Sequence, residues 1–102
     1  MDMEERYRLI LSTIFNAIGC RVEVEKMIST GRIDMVVETS TIIYVLELKL
    51  SNNGGVNAAA EQIKAKRYAE PFKADKRKII ALAIELEDLG KGLIDWKEVS
   101  FA

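Results

Sequence analysis

Residues 31–50 read GRIDMVVETSTIIYVLELKL. One acid, Asp34, sits in the first apolar run of this stretch, and a second acid and a lysine, Glu47 and Lys49, sit two apart in the next. Side chains of a strand alternate between faces, so Glu47 and Lys49 share one side. Ile42, Tyr44, Leu46, Leu48 and Leu50 then form an unbroken apolar row on the other. A strand that is apolar on both faces except for one acid and one lysine is an interior strand carrying a site. Burying charge costs several kcal/mol unless the group is paired or binds a metal, so a fold does not place it there idly.

Composition narrows what the site can do. A chain of 102 residues, 49% of them hydrophobic, is one small domain, residues 1–102, with a real core. No apolar run reaches the roughly 18 residues of a membrane-crossing helix. The opening MDMEERYR is charged and helical in character, unlike a secretion signal. Cys20 is alone, which excludes a disulfide framework and a cysteine zinc site. These features lead us to expect a cytoplasmic protein with no membrane partner. Histidine is absent, which removes Ser-His and Cys-His nucleophilic catalysis and most zinc chemistry. Carboxylates, lysines and tyrosines are what remain for acid–base or metal work. The net charge of −1 gives no global attraction to nucleic acid. Locally, Lys64, Lys66, Arg67, Lys73, Lys76, Arg77 and Lys78 outnumber Glu70 and Asp75, so a basic surface near the second helix and a plain solvated face are both open readings.

Taken in order, residues 3–18 predict an amphipathic helix with Met3, Tyr7, Ile10, Leu11, Ile14, Phe15 and Ile18 on one face, Asp2 as cap and Gly19 as stop. Glu4 falls at the edge of that stripe and Glu5 points away. Residues 20–29 read as a half-exposed edge strand whose phase breaks at Lys26–Met27, where a bulge fits. Residues 32–38 and 41–50 complete an antiparallel meander. A tight turn flanked by Glu38 and Thr41 would pair Val36 near Ile43 and Asp34 near Val45, leaving Asp34 diagonal to Glu47. The segment SNNGGV (51–56) is a loop, and Asn57 is placed to cap a helix over 58–70 that Pro71 helps to end. KIIALAIEL (78–86) is a buried fourth strand, parallel to the third through a right-handed crossover. The tail from Leu93 to Phe101, with Trp96, is expected to pack back as a short strand or helix. The fold class is therefore α/β (α+β), with a mixed four-stranded sheet flanked by helices.

An acid on one strand and E-x-K on its neighbour is what a magnesium-dependent phosphodiesterase needs. Magnesium takes oxygen ligands in octahedral array and keeps several waters. Asp34 and Glu47 supply two carboxylates, and the main-chain carbonyl of Leu48 is placed to give a third oxygen. Lys49 beside the metal would orient or help deprotonate an attacking water, or neutralise charge on the transition state.

These residues carry a resemblance. R-I-D in the second strand and V-L-E-L-K in the third, in the order αβββαβ, resemble the PD-(D/E)XK nuclease superfamily and its restriction-endonuclease-like core. The chain is most similar to the nuclease-like domain at the C-terminal end of many bacterial AAA-type ATPase-like proteins. Those domains run G-R-I-D, an acid-x-lysine strand, then a helix with Q-I-x-x-K-x-Y, here Gln62, Ile63, Lys66 and Tyr68. The resemblance spans about Glu4 to Trp96. It implies a metal-dependent nuclease acting on nucleic acid, DNA in the first instance, with Mg²⁺ or Mn²⁺ as cofactor. It implies Asp34 and Glu47 as metal ligands and catalytic groups, Lys49 as catalytic lysine, and Glu4 or Glu5 as the first-helix acid, of which the face argument favours Glu4. Gln62 and Lys66 support the site from the second helix, and Tyr68 contacts substrate or packs beside it. The resemblance also admits a homodimer and an ATPase-like partner domain. The ATPase-like region has no counterpart here, which leaves a free-standing domain and a piece of a longer protein both open.

Two other classes stay in view. A non-catalytic module of the same fold would bind nucleic acid or protein without metal dependence. A dimerisation domain would use the first strand's edge or the Trp96 tail. Metal bound between Asp34 and Glu47 separates the enzyme from both.

Overall fold

The computed structural model describes residues 1–100. The chain forms α1 (Met3–Ala17), β1 (Arg21–Ile28), β2 (Gly31–Glu38), β3 (Ile42–Leu50), α2 (Gly55–Ala65), β4 (Lys78–Leu86) and β5 (Leu93–Val99). Short 3-10 turns occupy Ser51–Asn53 and Glu70–Phe72. The sheet has five strands in the order β1-β2-β3-β4-β5, not the four expected. The additional strand is the tail, which lies antiparallel on β4 with Ile84 opposite Trp96. β3 and β4 are parallel, as the crossover rule requires. Phe101, expected to pack, lies outside the described residues.

The alternation in β3 sorts the core into two layers. Ile43 and Val45 face α2, in a cluster with Val36, Ala59, Ala60, Ile63, Ala81 and Ala83. Leu46 faces the α1 side with Met35 and Val37, and Leu48 and Leu50 pack there with Tyr7 and Leu86. Small residues on α2 and β4 let that helix lie close on the sheet.

The β2–β3 register differs from the expected one by two positions. Val36 pairs with Val45 and Glu38 with Ile43. Thr39 is the reason. Its amide donates to the Ile42 carbonyl at 2.9 Å, and its hydroxyl accepts from the amides of Thr41 and Ile42. The turn therefore closes between Thr39 and Ile42, one residue later than a Glu38–Thr41 turn. The break in β1 also moves, from Lys26–Met27 to Glu25, which holds φ at +52°. Above this kink Val22, Met35 and Val37 face α1, whereas below it Ile28 and Ile33 join the α2 layer. Strand alternation alone would keep Ile33 with Met35 and Val37; the kink turns the end of the hairpin over.

Two helices depart from their expected boundaries or faces. In α1 the side buried against the sheet is Met3, Tyr7, Leu11 and Phe15, while Ile10, Ile14 and Ile18 are each more than half exposed. The Tyr7 hydroxyl fixes this rotation: it donates to the Glu87 carbonyl at 2.9 Å and accepts from the Gly92 amide at 3.0 Å. α1 lies over β1, β2 and β3. It leaves Trp96, expected to be a packing residue, 58% exposed on β5.

α2 starts at Gly55 rather than 58 and ends at Ala65 rather than 70. Asn57 does not cap it; its side chain accepts from Lys97 Nζ. The cap comes from β4, where Glu85 Oε1 accepts the Val56 amide at 2.9 Å and Oε2 accepts the Ser51 hydroxyl at 2.6 Å. Gly55, at φ +60°, is required for this approach, because a Cβ there would lie 2.3 Å from Glu85 Oε1. Gly55→Ala should therefore lower unfolding stability by on the order of 2 kcal/mol in urea titration. Gly92→Ala, which meets no neighbour within 4 Å, should lose only the backbone part of that cost.

Candidate active site

Asp34 sits where two ladders open. The β1–β2 pairs run through Val24–Met35 and resume at Lys26–Ile33, skipping Glu25 and Asp34. The β2–β3 pairs stop at Met35–Leu46. In place of the ladder, the Asp34 side chain itself takes a main-chain bond: Oδ2 accepts the Leu48 amide at 2.9 Å. Continuing the register by one step sets Asp34 across from Glu47, directly rather than diagonally. The two carboxyl groups are in hydrogen-bonding contact.

Both acids are buried, Asp34 6% and Glu47 1% exposed. Burial pushes the Asp34 carboxyl above its ordinary range, with the Leu48 amide and the Arg8 charge pulling the other way. Burial, then the neighbouring Asp34 charge, pushes Glu47 up to about 9, against a smaller pull from Lys49. Lys49 Nζ lies 3.8 Å from Glu47 Oε2. Glu47 Oε1 is buried and has no hydrogen-bond partner among the described residues. An unpartnered carboxylate oxygen beside a second buried carboxyl fits a divalent cation. Among the described residues no three acidic or cysteine side chains converge on one point. Two carboxylates with main-chain and water oxygens is a donor set that suits magnesium, which retains waters, better than calcium, which wants more protein oxygens.

An open cleft of about 450 Å³ gathers the residues singled out above: Glu4, Asp34, Glu47, Lys49, Gln62, Lys66 and Tyr68 all line it. Glu4 stands at the rim, where Asn53 Nδ2 donates to it at 3.3 Å. Gln62 Nε2 donates to the Tyr68 hydroxyl at 2.9 Å, and that hydroxyl donates to the Arg32 carbonyl at 2.7 Å. Tyr68 is 1% exposed, so it acts here as a packed strut between α2 and β2, with only its edge on the cleft. The aliphatic stem of Lys66 passes over Gly31. Leu48 presents its amide to Asp34 and its side chain to the opposite layer.

Sequence reasoning missed Arg8. It is 8% exposed on α1, with NH2 2.9 Å from Glu25 Oε1 and NH1 4.0 Å from Asp34 Oδ1. Glu25 reaches it from the kink in β1 and also lies 3.8 Å from Arg32. A signal did exist: Arg8 is one helical turn beyond Glu4, on the same edge of the stripe. The assumption that Ile10, Ile14 and Ile18 were buried drew attention to the wrong side of α1.

A family model for the PD-(D/E)XK nuclease superfamily matches residues 2–96 of this chain. The chain belongs to the PD-(D/E)XK nuclease superfamily. The αβββα order with a parallel strand after the second helix, and the acid and E-x-K facing each other across β2 and β3, agree with that assignment. A curated relative, described as an uncharacterized protein in the vnfD 5′ region of Azotobacter chroococcum mcd 1, is 33% identical over 82 residues. The match covers 80% of this chain and 16% of the relative, so this PD-(D/E)XK chain spans about one sixth of that protein's length. No solved structure matches the chain.

The carboxyl pair gives the domain a pH signature. Glu47 is raised above its ordinary value in the fold, so between about 4.5 and about 9 the folded chain holds a proton that the unfolded chain has lost. Stability is then greatest in mild acid and falls as pH rises toward 9, by at most about 1.4 kcal/mol per pH unit. Metal-free protein should melt at a lower temperature at pH 8.5 than at pH 6 in calorimetry, and Glu47→Gln should flatten that slope. An equally steep fall in Glu47→Gln would place its origin elsewhere.

Proposed function

We propose that this domain is a divalent-metal-dependent phosphodiesterase acting on nucleic acid, DNA in the first instance. The observation that carries the reading is the buried Asp34–Glu47 pair with the unpartnered Glu47 Oε1, open to a cleft that also holds Lys49. In this reading Asp34 and Glu47 hold Mg²⁺ or Mn²⁺ with main-chain help from Leu48. When bound, the cation supplies Lewis acidity toward the phosphoryl group.

The chain's own residues do the rest. Asp34 is fixed by the Leu48 amide, so its other oxygen, Oδ1, 4.0 Å from Arg8, keeps one direction. Glu47 is oriented by its strand, two residues before Lys49 on the same face. Lys49 Nζ, in the same cleft, donates to a phosphoryl oxygen or to the attacking water and offsets charge as it develops. Glu4 at the rim, held by Asn53, would add a further carboxylate near the cation. Gln62 and Tyr68 keep α2 and β2 at fixed separation. In this reading an ATPase-like partner domain, of the kind the resemblance admits, would deliver the substrate.

Calorimetric titration with Mg²⁺ and Mn²⁺ is expected to show binding to the wild type and its loss in Asp34→Ala and Glu47→Gln. Lys49→Ala should keep the metal but lose plasmid nicking by about 100-fold or more. Absence of metal binding by the wild type at millimolar concentration would remove the enzyme reading and leave the binding module.

A further inference from the structure

A second groove lies against the first. It has a volume of about 730 Å³ and is bordered by the tip of the β1–β2 hairpin and the turn that follows α2. Met27, 72% exposed, lines both the groove and the cleft. Lys66 lines the cleft and the next residue, Arg67, lines the groove. The two hollows are thus consecutive along one ridge. The groove is lined by apolar residues that include Met27, Pro71 and Phe72, by Lys26 and Arg67, and by one acid, Glu70, which Lys73 holds at 2.9 Å.

Arg67 is the informative residue. It holds φ at +52°, directly after the last turn of α2. The Arg67 amide donates to Lys64 and the Tyr68 amide to Ile63, which is the helix-ending arrangement in which glycine is the usual occupant. An arginine there carries a backbone cost that glycine would not. Nothing in the fold offsets it: among the described residues the Arg67 side chain makes no hydrogen bond or ion pair, whereas Arg77 and Lys73 of the same basic segment are held by Glu38, Asp75 and Glu70. A long, free cation kept where glycine belongs, on the wall of a groove running into a candidate phosphodiesterase cleft, serves something outside the fold.

We propose that this groove receives an unpaired stretch of the nucleic-acid strand whose phosphodiester lies at Asp34, Glu47 and Lys49, with Arg67 on a phosphate and bases laid on the Met27–Phe72 floor. This rests on the nuclease reading above and adds the substrate class. An unpaired nucleotide presents both an anionic phosphate and an apolar base face, and the groove offers both complements. A duplex presents mainly phosphates, and a duplex binder neutralises many of them at once. Here the groove provides two basic side chains, one of them, Lys26, already 3.3 Å from Glu23, and one acid, Glu70, already paired with Lys73, in a chain of net charge −1. The ligand is therefore a single strand, such as an overhang, a flap or a melted end.

The test is fluorescence anisotropy on the full chain in EDTA at low salt, with a fluorescein-labelled single-stranded DNA oligonucleotide and the same sequence as a blunt duplex. Wild type should bind the single strand more tightly. Arg67→Gly should weaken single-strand binding about fivefold or more and reduce the salt slope by about 0.7. Arg67→Lys should retain most of the affinity. Arg67→Gly should also melt at the same or a higher temperature, which rules out unfolding as the cause. Met27→Ser, on an exposed side chain, should weaken the single strand alone. Equal binding of both probes, no binding of either, or no change in Arg67→Gly would overturn the groove assignment. Metal titration of the wild type and Asp34→Ala decides the nuclease reading separately, because the EDTA measurement does not depend on it.

Discussion

The hydrogen bond from the Leu48 amide to Asp34 is the interaction around which the rest of the site is arranged. It places a carboxylate inside a sheet at the point where the main-chain ladder opens, so that one of its oxygens substitutes for a backbone carbonyl. The same bond brings Asp34 across from Glu47. Two carboxylates at that separation in a buried setting cannot both be charged without a counterion. A proton relieves the pair in the free protein, and a divalent cation can relieve it by replacing that proton. The site is a choice between two cations, and the apolar layers on either side of β3 raise the cost of leaving both carboxylates bare.

Holding such a pair requires rigid surroundings, and the fold supplies them from three directions. Glu85, reaching from β4, caps the start of α2, so the helix that roofs the cleft is anchored at its first turn. The chain of Gln62, Tyr68 and the Arg32 carbonyl anchors the other end to β2. α1 contributes Arg8 from the opposite side, buried between Glu25 and Asp34. Its charge lowers the cost of an ionised Asp34 without occupying the cleft itself. Breaking a buried ion pair by removing one partner costs more than never having built it. The Arg8 arrangement thus commits α1, β1 and β2 to one another.

Much of this was legible because β3 is buried on both faces. An interior strand announces its exceptions, and Glu47 and Lys49 were the only ones. The helix–meander–helix–strand order followed from periodicity, and the facing of Asp34 and Glu47 survived an error in register because a shift of two residues preserves the face. What was not legible depended on contacts distant in sequence. The cap on α2 comes from Glu85, which no local pattern could supply, and so Asn57 looked like the better candidate. The rotation of α1 is set by the Tyr7 hydroxyl meeting the Glu87–Gly92 turn, which decides between two apolar arcs that the helix sequence leaves equal. Thr39 outcompeted Glu38 as the turn's gatepost through its hydroxyl. The tail became a strand because β4 had an open edge, although six of its seven residues are exposed and carry little burial signal.

The backbone gives a further measure of where this chain departs from what folding alone would choose. Among the described residues, left-handed φ is adopted by Gly19, Gly54, Gly55, Gly90 and Gly92, and by only two residues that are not glycine, Glu25 and Arg67. Both are charged, and both adjoin residues of the cleft: Glu25 pairs with Arg32, and Arg67 follows Lys66. Glu25, itself exposed, meets the buried Arg8 at 2.9 Å; the Arg67 side chain meets no partner among the described residues. Glycine relieves such positions at no steric cost, and the chain uses it for the other five. Strain concentrated at functional residues is the pattern expected when a side chain is needed more than a relaxed backbone. For Glu25 the need is visible in the ion pair. For Arg67 the fold supplies no partner, and the proposed single strand would provide one.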